Sequence, residues 1–112
     1  MKASIYQGTK YEISWSIDHD PITPELVERI EDAGRELSID WKQNEFYPAI
    51  QFLLEKFSKE EIEAKIYDED PDLIELIALT IQNPMKADTD QYSQFVRLYL
   101  PVILIILRNE FV

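Results

Sequence analysis

From Tyr11 to Ile17 apolar and polar side chains alternate without exception. Tyr11, Ile13, Trp15 and Ile17 fall on one side, Glu12, Ser14 and Ser16 on the other. A period of two predicts a strand with one dry face and one wet face. Ala3 to Gln7 precedes it, and Gly8-Thr9 sits where a tight turn joins antiparallel strands, so the chain is predicted to open with a hairpin. Two strands alone are marginal in water, and the aromatic face of this pair needs a helical layer to lie on.

The period then changes to that of a helix. Thr23-Pro24 has the form of a helix start, with Glu25 and Glu28 in or near the first turn, and Leu26, Ile30, Ala33 and Leu37 follow at helical spacing. Gly34 lies on the flank of this stripe. A glycine there costs about 1 kcal/mol relative to Ala. Either a neighbour packs closely against it or the helix bends, and the continuation of the stripe to Leu37 favours close packing. Asp40 to Tyr47 reads as a polar and aromatic connection. Pro48 suits the opening of a second helix whose apolar face is Ile50, Leu53, Leu54 and Phe57. Ser58-Lys59-Glu60-Glu61 is a capping box for a short third helix with Ile62, Ile66 and Tyr67 as its dry side.

Asp70-Pro71 restarts the chain as N-cap and first helical residue. Leu73 to Ile81 is apolar nearly all round, which predicts a helix buried in the centre, and Asn83-Pro84 stops it. Asp88 or Thr89 opens the last segment, where Phe95, Val96 and Tyr99 suit a helix. Pro101 costs a helix interior about 3 kcal/mol. The β-branched stretch Val102 to Leu107 therefore reads as the continuation of a kinked helix, with a buried strand beside the hairpin as the alternative. The fold class expected is α+β: a single small domain over residues 1–112, mainly helical with about five helices, carrying an N-terminal β-hairpin packed on them.

Composition narrows the chemistry. The 112 residues contain no cysteine, one histidine and two glycines. Zero Cys excludes a disulfide scaffold, a thiolate zinc site and a cysteine nucleophile. The single His19 excludes any site built on several imidazoles, and two glycines are too few for a phosphate-binding loop. His19 itself lies between Asp18 and Asp20, whose carboxylates favour its charged form over a neutral base, and reads as a surface turn residue. Asp68, Asp70 and Asp72 are spaced as in a calcium loop, but the sixth and twelfth positions hold Leu73 and Leu79 instead of Gly and Glu. Serine-hydrolase and kinase signatures are absent, and none of the 22 acids is marked by its sequence surroundings for paired-carboxylate hydrolysis, which stays open as the third alternative. No enzyme, metal or cofactor is expected.

The longest apolar run, Leu98 to Leu107, is half the roughly 20 residues of a membrane span, and no signal-like segment opens the chain. A cytoplasmic location is the expectation. What remains is charge. Twenty-two acidic against eleven basic residues give a net charge of −11, which disfavours nucleic acid and anionic membrane surfaces as ligands. It is also uneven. Between Glu60 and Glu75 stand Glu60, Glu61, Glu63, Asp68, Glu69, Asp70, Asp72 and Glu75, eight acids against Lys65 alone, a net −7 in sixteen residues. A weaker concentration runs from Asp18 to Glu36, seven acids against Arg29 and Arg35.

Such density costs stability through self-repulsion and speeds association with a basic partner. One reading is a docking face for a basic protein, such as a nuclease, a toxin or another nucleic-acid-binding protein, whose cleft the carboxylates fill in place of phosphates. The other is a solvated face that keeps a small protein soluble. Affinity generally needs aromatic or Arg anchors beside the charge. Trp41 and Tyr67 are the aromatic candidates in the block, with Phe46 and Tyr47 nearby. No neighbouring periodicity obliges Trp41 to face inward. Immunity proteins and phage-encoded antagonists share this profile of size and charge. The competing function is a structural or adaptor subunit that self-associates through the apolar segments Leu73–Ile81 and Leu98–Leu107.

Overall fold

A computed structural model describes residues 2–16, 22–81 and 89–111. The expectations that fall on Ile17 to Pro21, His19 included, and on Asn83, Pro84 and Asp88 lie outside the described residues. Strand β1 (Lys2–Ile5) pairs antiparallel with β2 (Ile13–Ser16), Ala3 opposite Trp15 and Ile5 opposite Ile13. The alternation sets the faces: Ala3, Ile13 and Trp15 are buried, while the Ser14 and Ser4 hydroxyls meet at 3.4 Å on the wet side. Both strands are shorter than the periodicity suggests. A wider turn takes the place of the two-residue one: Tyr6 (φ +59°) and Gly8 (φ +79°) both take left-handed conformations, and Thr9 Oγ1 donates to the Tyr6 carbonyl at 2.7 Å. Tyr11 and Glu12 consequently belong to the turn.

Helix α1 (Pro24–Glu36) starts as its cap sequence requires, the Thr23 hydroxyl accepting from the Leu26 N–H at 3.2 Å. Its dry face is broader than the apolar stripe, taking in Val27 and Gly34 beside Ile30 and Ala33. The end of α1 follows the Schellman pattern, with Ser38 N–H on Arg35 O (3.1 Å) and Ile39 N–H on Gly34 O (3.0 Å). Ser38 sits at φ +55°, a position glycine normally fills because a Cβ there is crowded. Replacing Ser38 by Gly is therefore expected to raise the unfolding midpoint in urea, by about 1 kcal/mol of stability.

A short 3-10 helix (Trp41–Gln43), capped by Asp40, forms within the stretch expected to be irregular, and α2 (Tyr47–Leu54) follows with Pro48 in its first turn. Helix α3 (Lys59–Tyr67) carries the full capping box, Glu61 N–H donating to Ser58 Oγ and Ser58 N–H to Glu61 Oε1, both at 3.1 Å. Its buried residues are Ile62 and Ile66. Helix α4 (Pro71–Ile81) pairs with α5 (Thr89–Leu98), and α6 (Leu100–Glu110) completes the fold.

The last segment is helical in both halves, so the kinked-helix reading holds and the strand alternative does not. The turn at Tyr99 divides it into two helices, which brings the α-helix total to six among the described residues where about five are expected. Pro101 falls in the first turn of α6, where its missing N–H removes no helical bond. Pro101 therefore opens a helix where a kink inside one is expected, and the central helix is α6 and not α4. Every residue from Leu100 to Leu107 is buried, because α6 is enclosed by α1, α2, α3, α5 and the 3-10 helix. Helix α4 packs chiefly on α5 and α2 and leaves Leu79 53% exposed.

Candidate partner-binding surface

The hydrogen bonding of α3, its connection and the start of α4 decides what each acidic residue is free to do. Glu61 is committed to the Ser58 cap, and Ser58's backbone and hydroxyl donors hold its carboxyl below the usual range. Asp70 is the N-cap of α4, accepting from Asp72 N–H at 2.8 Å and Leu73 N–H at 3.3 Å. Those backbone donors, with Lys65 Nζ at 3.4 Å, lower its pKa too. Both groups are favoured in their charged forms, so their caps are intact at neutral pH and weaken on acidification below the ordinary carboxylate range. Glu63 reaches Arg108 on α6 at 2.6 Å; Arg108 also lies 3.4 Å from the Tyr67 hydroxyl, and the bond to Glu63 raises its pKa. Glu69 accepts from Arg97 Nε on α5 at 3.0 Å.

Four carboxylates remain. Glu60, Asp68, Asp72 and Glu75 are exposed and have no ion-pair partner among the described residues. They are carried by two successive helices and the tight connection between them. That connection closes with Glu69 N–H on Ile66 O and Asp70 N–H on Lys65 O, both at 3.0 Å, and it puts Glu69 at φ +51°. A charged residue stands where glycine is the unstrained choice.

The aromatic anchors fall differently from expectation. Trp41 is 7% exposed and part of the core, so the outward orientation expected for it is corrected. Its ring lies over Gly34, where a Cβ would come within 2.9 Å of Trp41 Cζ2 and 2.8 Å of the Tyr6 hydroxyl. The missing side chain on α1 is what lets an indole with no periodic pattern of its own enter the core. Tyr67 is half-buried beside the Glu63–Arg108 pair. The weaker acidic concentration on α1 is broken up in the same way: Arg35 engages Glu31 and Asp32, and the cleft between α1 and the hairpin turn is lined by Lys10 and Arg29 as well as Asp32 and Glu36.

Beside the acidic corner a groove of about 450 Å³ runs between α4 and α5, lined by Glu69, Pro71, Ile74, Glu75, Ser93, Gln94 and Arg97. Charge counting along the chain misses it, because Arg97 and Gln94 reach the acidic block only through the pairing of α4 with α5. Their i, i+3 spacing on α5 marks a shared face but not what that face meets. Among the described residues no group of three or more potential ligands is placed to hold a metal ion, and no helix is long and apolar enough to cross a membrane. Comparison of the chain with protein-family models, curated proteins and solved structures finds no match.

Proposed function

We propose that the chain is a small acidic binding protein that occludes a basic surface of a protein partner, the kind of surface with which a nuclease, a toxin or another nucleic-acid-binding protein contacts phosphates. The observation that carries this reading is the α3–α4 corner, where Glu60, Asp68, Asp72 and Glu75 are exposed without ion-pair partners beside four more carboxylates held in fixed positions. Like charges so placed repel one another, and a cationic surface converts that repulsion into attraction and a faster encounter. Of the two apolar segments on which self-association would draw, Leu98–Leu107 is buried from Leu100 onward along α6, while Leu73–Ile81 leaves Leu79 exposed.

The test neutralises the four free carboxylates together, as Glu60→Gln, Asp68→Asn, Asp72→Asn and Glu75→Gln. Glu61 and Glu63 are spared because they hold the α3 cap and the Arg108 pair. The wild type, immobilised at about 50 mM salt, is expected to retain basic proteins from extracts of its native host and release them by about 500 mM, where the Debye length is a few ångströms. The folded quadruple variant is expected to bind the recovered partner at least ~10-fold more weakly, through a slower on-rate. A partner bound equally by both proteins, or with an on-rate indifferent to salt, would falsify the reading.

A further inference from the structure

We infer that the groove between α4 and α5 receives an arginine side chain of the basic partner, which displaces Arg97 from Glu69; this rests on the binding reading above. The structure already shows a guanidinium seated there, since Arg97 Nε donates to Glu69 Oε1 at 3.0 Å. The two side chains are 47% and 31% exposed, so the pair is hydrated and weak and is exchanged at little cost. Pro71 and Ile74 give the groove an apolar wall along which an arginine's methylenes can lie. Glu75 is a second carboxylate on the same groove with no ion-pair partner among the described residues, and Gln94 supplies an amide oxygen. Two carboxylates and a carbonyl acceptor suit the five fixed donors of a guanidinium better than the compact ammonium of lysine. Charge agrees: Asp68 and Asp72 are exposed neighbours in sequence of the lining residues Glu69 and Pro71, and Arg97 is the only cation lining the groove among the described residues.

The exchange predicts opposite effects from two substitutions on one groove. The probe is an acetylated, amidated tetra-arginine peptide titrated into the full chain at low salt, with the tetra-citrulline peptide as the neutral control. Arg97→Gln is expected to tighten binding by roughly threefold, the equivalent of removing a weak competing ion pair. Glu75→Gln is expected to weaken it by roughly tenfold, the loss of a charge-assisted bond. Because Arg97→Gln also makes the protein more negative, Arg35→Gln on α1 serves as its charge-matched control and is expected to leave affinity nearly unchanged. In the wild type, the amide resonances of Ile74 and Gln94 are expected to shift on titration. Equal tightening by Arg97→Gln and Arg35→Gln, or tetra-lysine binding as strongly as tetra-arginine, overturns the groove as an arginine site and leaves the acidic surface standing. Failure of the wild type to bind tetra-arginine at all overturns the surface reading itself.

Discussion

Replacing Trp15 by alanine is expected to remove about 3–5 kcal/mol of folding stability, the range for truncating a buried aromatic side chain. Trp15 is 5% exposed, and its ring meets the edge of Tyr99 with centroids 6.1 Å apart. It also does what an aliphatic side chain cannot. Helix α5 ends at Leu98, the turn at Tyr99 interrupts the helical ladder, and the carbonyls of a last helical turn lack intrahelical donors. Trp15 Nε1 donates to the Leu98 carbonyl at 3.0 Å in a buried setting. Phenylalanine keeps most of the apolar contact but leaves that carbonyl without its side-chain donor, so Trp15→Phe is expected to cost about 1–3 kcal/mol. Urea unfolding of the two variants separates packing from the hydrogen bond. A Trp15→Phe protein as stable as the wild type would show that the bond contributes nothing net.

The second large effect runs against helix propensity. Alanine at an exposed helical glycine gains about 1 kcal/mol, yet Gly34→Ala is expected to destabilise this protein by about 1–3 kcal/mol net. The added Cβ would stand 2.8 Å from the Tyr6 hydroxyl oxygen and 2.9 Å from Trp41 Cζ2, closer than a Cβ approaches any heavy atom it is not bonded to in packed interiors. Neither neighbour yields freely. Tyr6 donates to the Ile30 carbonyl at 2.8 Å and is desolvated enough that its pKa is pushed up to about 12, while Trp41 is in the core. Thermal unfolding of Gly34→Ala gives the answer directly. A rise in Tm would mean that Trp41 or Tyr6 moves aside at no cost, and the close packing described above would then carry no energetic weight.

How far the architecture is legible along the chain depends on how far each interaction reaches. The Thr23 cap, the Ser58–Glu61 box and the Asp70 cap span three residues or fewer, so the residues involved announce them. Pro101 is read as the kink of one helix because its effect on a ladder is local, but the break at Tyr99 that places it in the first turn of a second helix is not marked by the residues around it. Gly34 is half legible. Its presence in a helix signals close packing, but Tyr6 and Trp41 as the neighbours come only from the fold. Helix α4 carries Glu75 and Thr80 inside its apolar run, whereas residues 100–107 contain no polar side chain, and that local difference marks α6 as the helix enclosed on several sides. The acidic block is plain from charge counting. Which of its carboxylates are spent on caps and ion pairs is not, because Arg97 lies 28 positions from Glu69 and Arg108 lies 45 from Glu63.

The bond from Trp15 to the Leu98 carbonyl also constrains the order of assembly. Its two ends lie 83 positions apart, so it forms only after the chain has been synthesised through α5 and has closed a very long loop. The hairpin can meet α1 early, through Tyr6 on the Ile30 carbonyl, but gains its Trp15 contact only when α5 is in place. Until α5 arrives, the indole of Trp15 lacks its Leu98 carbonyl and Tyr99 partners. During that interval a nascent or refolding chain exposes an aromatic side chain, and docking of α5 covers it.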